Sequence, residues 1–142
     1  MKQRIALWEP QARSVLRIIV AFLLTLHGLR TAFGLFVAVA GRRLRVPLAL
    51  DQLPPMVGYV ELLGGILLFL GLFTRPVATV LAALAAFAYF AFAAPAGPWP
   101  IRNGGTEALL YFFTLAYLAA AGAGVWSLDA FFRSKPAPSG AR

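Results

Sequence analysis

Seven polar side chains lie in or beside long apolar stretches and are of types that bind ligands or move protons. They are His27, Arg30, Tyr59, Glu61, Asn103, Glu107 and Tyr111. Arginine, histidine and tyrosine can donate hydrogen bonds to an anion or a carbonyl, and glutamate can exchange a proton. A charge at the centre of a bilayer costs about 2.5–3.5 kcal/mol on insertion scales, so it persists there when it is paired or functional. These side chains are therefore the candidates for a ligand-binding site, and no catalytic residue is assigned.

The spacing of these residues places several of them on shared helix faces. His27 and Arg30 are three residues apart, and Glu107 and Tyr111 are four apart, so each pair shares a face of its helix. We expect Arg30 to anchor an anion or a carbonyl, because its planar fork of donors suits two acceptors at once. Glu61 is its expected partner, since an unpaired arginine at this depth is costly. The alternative is an ion pair that only holds two helices together.

Four apolar stretches must position these side chains. The chain has 142 residues, of which 61% are hydrophobic and 13% charged, and its mean hydropathy is +0.78. Soluble domains are about 45–50% apolar. The predicted spans are 15–40, 56–73, 77–94 and 106–125. A segment of this length can satisfy its backbone polar groups in lipid only as a helix, so the predicted fold is an all-α integral membrane protein, a four-transmembrane-helix bundle.

The remaining residues flank or connect the spans. Residues 1–14 are predicted to form a cytoplasmic N-terminal segment, 15–130 the four-helix transmembrane domain, and 131–142 a flexible cytoplasmic tail. Thr74-Arg75-Pro76 is predicted to be the turn that ends the second span. Short surface helices are expected at the termini and in the loop 41–55.

The distribution of lysine and arginine predicts that both termini are cytoplasmic. Basic residues are enriched on the cytoplasmic side of membrane proteins, and this orientation places eight of them there against four outside. The eight are Lys2, Arg4, Arg13, Arg17, Arg75, Arg133, Lys135 and Arg142, and the four are Arg42, Arg43, Arg45 and Arg102. In this orientation the polar candidates fall in the outer half of the bilayer, where we expect them to share one cavity.

Composition excludes several kinds of site. The chain has no cysteine and one histidine, which excludes disulfides, thiolate chemistry, iron–sulfur clusters and bis-histidine haem ligation within one chain. No metal site and no covalently bound cofactor are expected. The net charge is +8, but the basic residues flank apolar runs, so the lipid bilayer is the expected partner and nucleic acid is not.

Several motifs stand in a fixed order along residues 15–130. They are Leu26-His27-Gly28-Leu29-Arg30, Val60-Glu61-Leu62-x-Gly64-Gly65, Gly71-Leu72-x-Thr74-Arg75, Asn103-Gly104-Gly105-Thr106-Glu107 and Ser127-Leu128-Asp129. Together they resemble the DoxX family of small bacterial inner-membrane proteins. The family usually has a lysine just after the His-Gly pair, where this chain has Thr31. Arg30 can supply the charge, but it points about 100° away around the helix.

The resemblance implies a four-helix bundle in the inner membrane and an association with redox chemistry. Some relatives are subunits of a thiosulfate:quinone oxidoreductase, others join membrane oxidoreductases that handle thiols and oxidative stress, and more distant ones assist assembly of membrane proteins. We therefore expect an accessory oxidoreductase subunit that uses a quinone, with a homo-oligomer or an oxidoreductase as its partner. The alternatives are a non-enzymatic membrane scaffold or assembly partner, and a binding protein or carrier for a small anion at Arg30.

Overall fold

Helices make up nearly all of the chain that the structure describes. A computed structural model describes the backbone of residues 2–35, 38–39, 42–43 and 55–134, and the side chains of 8–35 and 55–134. The helices are α1 (Lys2–Phe33), α2 (Pro55–Leu70), α3 (Thr74–Ala88), α4 (Pro100–Asn103), α5 (Thr106–Ala121) and α6 (Leu128–Ser134). A π turn (Tyr89–Ala93) and a 3-10 turn (Ala94–Ala96) continue α3. Two-residue strands β1 (Ala38–Val39) and β2 (Arg42–Arg43) pair antiparallel.

Helix α1 differs from the predicted first span at both ends. It begins at Lys2 and runs without a break through the segment predicted to precede the span. It ends at Phe33, before the predicted end at residue 40, because Gly34 adopts a left-handed φ of 65°. The Gly34 N–H donates to the Arg30 carbonyl at 2.8 Å, which closes the last turn. Arg30 therefore lies in the last turn of α1 and not well inside a longer helix.

The turn between α2 and α3 also lies earlier than predicted. It is formed at residues 71–73, and Thr74 is the first residue of α3. Pro76 is then in the first helical turn, where its missing N–H has no intrahelical partner to lose. Of the expected surface helices, one is seen as α6 after the last long helix. In the loop 41–55, residues 42–43 belong to a strand and 44–54 lie outside the described residues.

Asp129 caps α3 from a distant part of the chain. Its two carboxylate oxygens accept hydrogen bonds from the backbone N–H groups of Phe73 and Thr74, each at 2.9 Å. In return, the Asp129 N–H donates to the Gly71 carbonyl at 2.9 Å. Helix N-termini lack intrahelical acceptors for their first N–H groups, so a carboxylate placed there stabilises the helix. The start of α6 thus fastens the α2–α3 turn.

Replacing Asp129 by alanine should lower the free energy of unfolding by about 1–2 kcal/mol, the usual cost of losing a cap. Burial raises the pKa of the Asp129 carboxyl, whereas the hydrogen bonds from the N–H groups of Thr74 and Phe73 lower it. The lowering effects together are larger, so the pKa lies below its ordinary value. The cap therefore stabilises the protein above the unfolded-state pKa of about 3.9 and is lost as pH falls through the lower folded-state value. The unfolding temperatures of wild type and the Asp129→Ala variant, measured in detergent, should differ at neutral pH and converge in acid. A difference that stays constant below about pH 3 would contradict this assignment.

The long helices pack as two pairs, α1 against α2 and α3 against α5, which touch each other less extensively. The first pair is very close at three glycines, Gly28, Gly58 and Gly65. A Cβ on Gly28 would stand 2.4 Å from the Leu62 nitrogen, and one on Gly58 would stand 2.4 Å from the Ala32 nitrogen. Small residues allow this approach of helix backbones. The apolar core joins both pairs and comprises Val20, Ala21, Leu24, Leu68, Ala78, Leu81, Ala82, Leu115 and Leu118.

Two helical segments among the described residues are long and apolar enough to cross a membrane. Trp8–Phe33 has 26 residues with a mean hydropathy of 1.6, and Thr74–Ala96 has 23 with a mean of 2.1. Only 33% and 22% of their most apolar windows are buried inside the protein, so most of the apolar surface of both segments is left uncovered by the rest of the chain. Helices α2 and α5 are apolar but shorter, with 16 residues each.

Candidate functional site

His27 of α1 and Glu61 of α2 form a buried hydrogen-bonded pair. His27 Nδ1 lies 2.8 Å from Glu61 Oε2, and the side chains are only 7% and 11% exposed. Both residues belong to the stripes along which α1 and α2 pack. On α2 the buried positions Gly58, Glu61, Gly65 and Leu68 recur at helical spacing. The close crossing at the glycines therefore sets Glu61 level with His27.

A small cavity adjoins this pair at the seam, which we define as the contact between the α1–α2 pair and the α3–α5 pair. Its volume is about 20 Å³, enough for one water molecule. Its polar lining is His27, Glu61, Glu107 and Tyr111, and the remainder is Leu24, Leu81, Leu84, Ala85, Ala88 and Ala108. The rings of Tyr111 and His27 have centroids 6.3 Å apart. All four long helices thus contribute to one cavity.

The second ring nitrogen of His27, Nε2, is buried and has no hydrogen-bond partner among the residues that the structure describes. An unmet buried polar atom costs about 1–3 kcal/mol, so this position favours a water or ligand oxygen. When Nδ1–H donates to the Glu61 carboxylate, a neutral His27 presents Nε2 as an acceptor. Taking up a proton converts Nε2 to a donor while Glu61 stabilises the imidazolium.

Four of the predicted site residues therefore come together, namely His27, Glu61, Glu107 and Tyr111. The remaining three lie elsewhere. Tyr59 is 44% exposed and packs edge-on against Phe33 with ring centroids 5.4 Å apart. Asn103 is buried and holds the connection to α5, donating from Nδ2 to Gly97 O at 2.7 Å and accepting from Gly105 N at 2.8 Å.

The predicted pairing of Arg30 with Glu61 is wrong. Glu61 is bonded to His27, and Arg30 is half-buried and forms no ion pair with a described residue. Arg30 lies about 4.5 Å further along the axis of α1, toward its end. A neutral histidine can hydrogen-bond to a buried carboxylate, whereas an arginine would bring a second full charge out of water. The desolvation cost is therefore lower for His27 than for Arg30 as the partner of Glu61.

Arg17, which the sequence analysis counted among the basic residues of the cytoplasmic side, is buried inside the protein. Its side chain is fully buried, and its donors all go to backbone carbonyls. Nε donates to Ala123 O at 2.8 Å, and Nη1 donates to Phe69 O at 2.8 Å and also to Leu68 O. Nη2 donates to Trp126 O. One guanidinium thus joins α1 to the end of α2 and to the segment after α5.

A periodic signal in the sequence identifies this role. Ser14, Arg17, Ala21, Leu24 and Gly28 follow one another at alternating spacings of three and four, and all five are buried. That alternation marks the core-facing stripe of a helix. Arg17 is therefore on the same face as the core residues. Composition alone does not show this, because a basic residue near the start of an apolar run is also typical of a charge that flanks a span.

Comparisons with known proteins give two matches. The DoxX family model matches residues 12–94. A Haemophilus influenzae protein described only as an uncharacterized protein is 38% identical over 132 residues, which cover 90% of this chain and 96% of the relative. No solved structure matches significantly. The matched residues include Arg17, His27 and Glu61 but end before the α5 side of the cavity.

Proposed function

Because the chain belongs to the DoxX family, we propose that it is a multi-pass protein of the bacterial inner membrane that serves a quinone-linked membrane oxidoreductase. The observation that carries this proposal is the buried, unpartnered Nε2 of His27 beside Glu61. A quinone offers carbonyl or hydroxyl oxygens that match this nitrogen in either protonation state. The electrons would pass to or from a partner oxidoreductase.

A four-span arrangement is supported by the packing of the helices. Helix α2 lies along α1, and α5 lies along α3, so each shorter apolar helix accompanies one that is long enough to cross the membrane. The positive-inside rule favours both termini in the cytoplasm. Three of the residues assigned to that side, Arg13, Arg75 and Arg133, line one pocket and so lie at the same end of the bundle.

The residues around His27 suit binding and proton transfer. A bound quinone would supply two-electron chemistry coupled to two protons. His27 Nε2 would hold its oxygen, and Glu61 would fix the imidazole orientation and stabilise it when it is protonated. Glu107 would be a second proton acceptor at the cavity wall, and Tyr111 would restrict access from α5. Apolar side chains on either side of the seam would contact the ring.

The size of the cavity favours a second candidate function. A volume of about 20 Å³ holds a water and not a quinone ring. Quinone binding thus requires the two helix pairs to move apart at the seam, where the contact is less extensive than it is within either pair. If they do not part, the buried His27–Glu61 pair and one water hold the helices together, and the protein is a scaffold or assembly partner.

We expect purified wild-type protein in lipid nanodiscs to bind a short-chain ubiquinone, detected by quenching of tryptophan fluorescence. Replacing His27 by glutamine should weaken binding by about tenfold, the equivalent of one lost hydrogen bond of about 1.4 kcal/mol. The E61Q variant keeps a hydrogen-bonding partner for His27 but cannot hold a negative charge. It should lose less quinone affinity than H27Q, because His27 and its hydrogen-bonding partner both remain.

Tyr59→Phe is the matched control, because Tyr59 is on α2 like Glu61 but does not line the cavity. Equal quinone affinity for wild type, H27Q and Y59F would refute the site. A protein that retains no quinone but co-purifies with a stoichiometric membrane partner would establish the scaffold function instead.

A further inference from the structure

Three arginines line one open pocket at the end of the bundle where α3 begins. Its volume is about 520 Å³, and it shares no lining residue with the His27 cavity. Arg13 comes from α1, Arg75 from α3 and Arg133 from α6. Segments that are far apart in sequence thus bring three positive charges to one concave surface. A cleft lined by one sign of charge concentrates ions of the opposite sign.

The carboxylates near this pocket do not balance its positive charge. Asp129 is the one acidic residue among the described lining residues, and both its oxygens already accept backbone N–H groups at the start of α3. Glu9 lies outside the lining and pairs with Arg13, whose Nη1 also donates to Ala121 O at 2.7 Å. Three arginines therefore face two carboxylates, one of which is committed to a helix cap.

Arg75 and Arg133 retain free donors. Among the described residues, the Arg75 guanidinium has no hydrogen-bond partner, and it lies against the loop after α5, where its Nε would be 3.4 Å from a Cβ on Gly122. Arg133 donates from Nε to the Asp129 carbonyl at 3.0 Å, which leaves its two terminal nitrogens available. A guanidinium with two adjacent free N–H groups matches the paired oxygens of a phosphate.

We propose that this pocket binds a phosphate group, carried by the headgroup of an anionic phospholipid or by a free phosphate-containing anion. The pocket is large enough to take a phosphate with a glycerol-sized substituent. The site is independent of the His27 cavity and of Arg30, and its phosphate chemistry does not depend on the quinone proposal. At a cytoplasmic bilayer surface, anionic lipid would be the abundant source of this group.

The test measures thermal stabilisation of the full chain in a neutral detergent by three probes: phosphatidylglycerol, phosphatidylcholine and inorganic phosphate. We expect stabilisation by the first or the third and none by the zwitterionic lipid. R75Q combined with R133Q should weaken binding of whichever probe stabilises the protein by about tenfold or more, since two charge-assisted contacts are lost. Arg13 is left unchanged because it also binds the end of α5.

Arg102→Gln is the matched control, because this exposed arginine lies in α4, beyond the opposite end of α3. R75K combined with R133K keeps the charge and should retain part of the binding. Stabilisation by phosphatidylglycerol alone identifies a lipid site, and stabilisation by inorganic phosphate identifies a soluble anion. No stabilisation by either probe, or an equal loss in R102Q, would overturn the proposal.

Discussion

Arg17→Met should leave the protein unable to fold stably. The substitution keeps a long apolar side chain but removes the donors for the carbonyls of Leu68, Phe69, Ala123 and Trp126. The Leu68 carbonyl keeps the Gly71 N–H as a donor, but those of Phe69, Ala123 and Trp126 lose their partner among the described residues. Each buried carbonyl without a partner costs about 1–3 kcal/mol, and the sum for three is comparable to the stability of an ordinary protein, about 5–15 kcal/mol. We expect little monodisperse protein on size-exclusion chromatography after extraction in mild detergent.

Two further variants separate charge from geometry at this position. Arg17→Lys retains the positive charge but has one nitrogen in place of the guanidinium fork, so it should be extracted in intermediate yield and with a lower unfolding temperature. Arg102→Met removes an exposed arginine and should change neither quantity. A monodisperse R17M protein that unfolds within about 2 °C of wild type would show that the carbonyls left by Arg17 find water or other donors.

Gly28→Ala should destabilise the protein even though alanine is the better helix former. In an exposed helix the exchange gains about 1 kcal/mol. Here the new methyl group would stand 2.4 Å from the Leu62 nitrogen and 2.8 Å from the Gly58 carbonyl oxygen. Backbone atoms cannot rotate away, so α1 and α2 must separate, and we expect a net loss of about 2–3 kcal/mol, at the upper end for overpacking. Gly58→Ala should behave alike.

Gly64→Ala is the control for this prediction because it lies on α2 and carries the same gain in helix propensity. The three atoms nearest to its Cβ would be the methyl carbons and Cγ of Leu81, at 2.8–3.0 Å, and that side chain can shift. Unfolding temperatures in detergent should therefore fall strongly for G28A and little for G64A. An unfolding temperature of G28A equal to or above that of wild type would mean that the helices are further apart than described.

The starts of two helices and the identity of two cavity residues follow from the sequence, but the pairing of those residues does not. The starts of α2 and α5 were predicted to within one residue, because prolines and glycines precede long apolar stretches. His27 and Glu61 were identifiable because each is a polar residue in such a stretch. The end of α1 was predicted too late, since residues 35–40 are apolar and hydropathy does not distinguish a helix from a non-helical continuation.

Side-chain partners were less predictable because they depend on the register between helices. His27 and Arg30 share a face of α1, so spacing alone leaves either as the partner of Glu61. The crossing at Gly28 and Gly58 decides in favour of His27. Asn103 illustrates a second difficulty, since the carbonyl and N–H that it binds come together only when the loop before α5 has folded.

The contacts of Arg17 also determine when the bundle can be completed during biosynthesis. Its acceptors at Ala123 and Trp126 lie 106 and 109 residues later in the chain. When the last residue of α1 has been added to the chain, none of the four carbonyl partners of Arg17 has been made, and an unpaired arginine is costly inside lipid. The guanidinium therefore lacks a full set of acceptors until the segment after α5 has been made. A nascent chain that stops before residue 123 lacks two of these acceptors, so the buried arginine makes the final packing of α1 conditional on synthesis beyond α5.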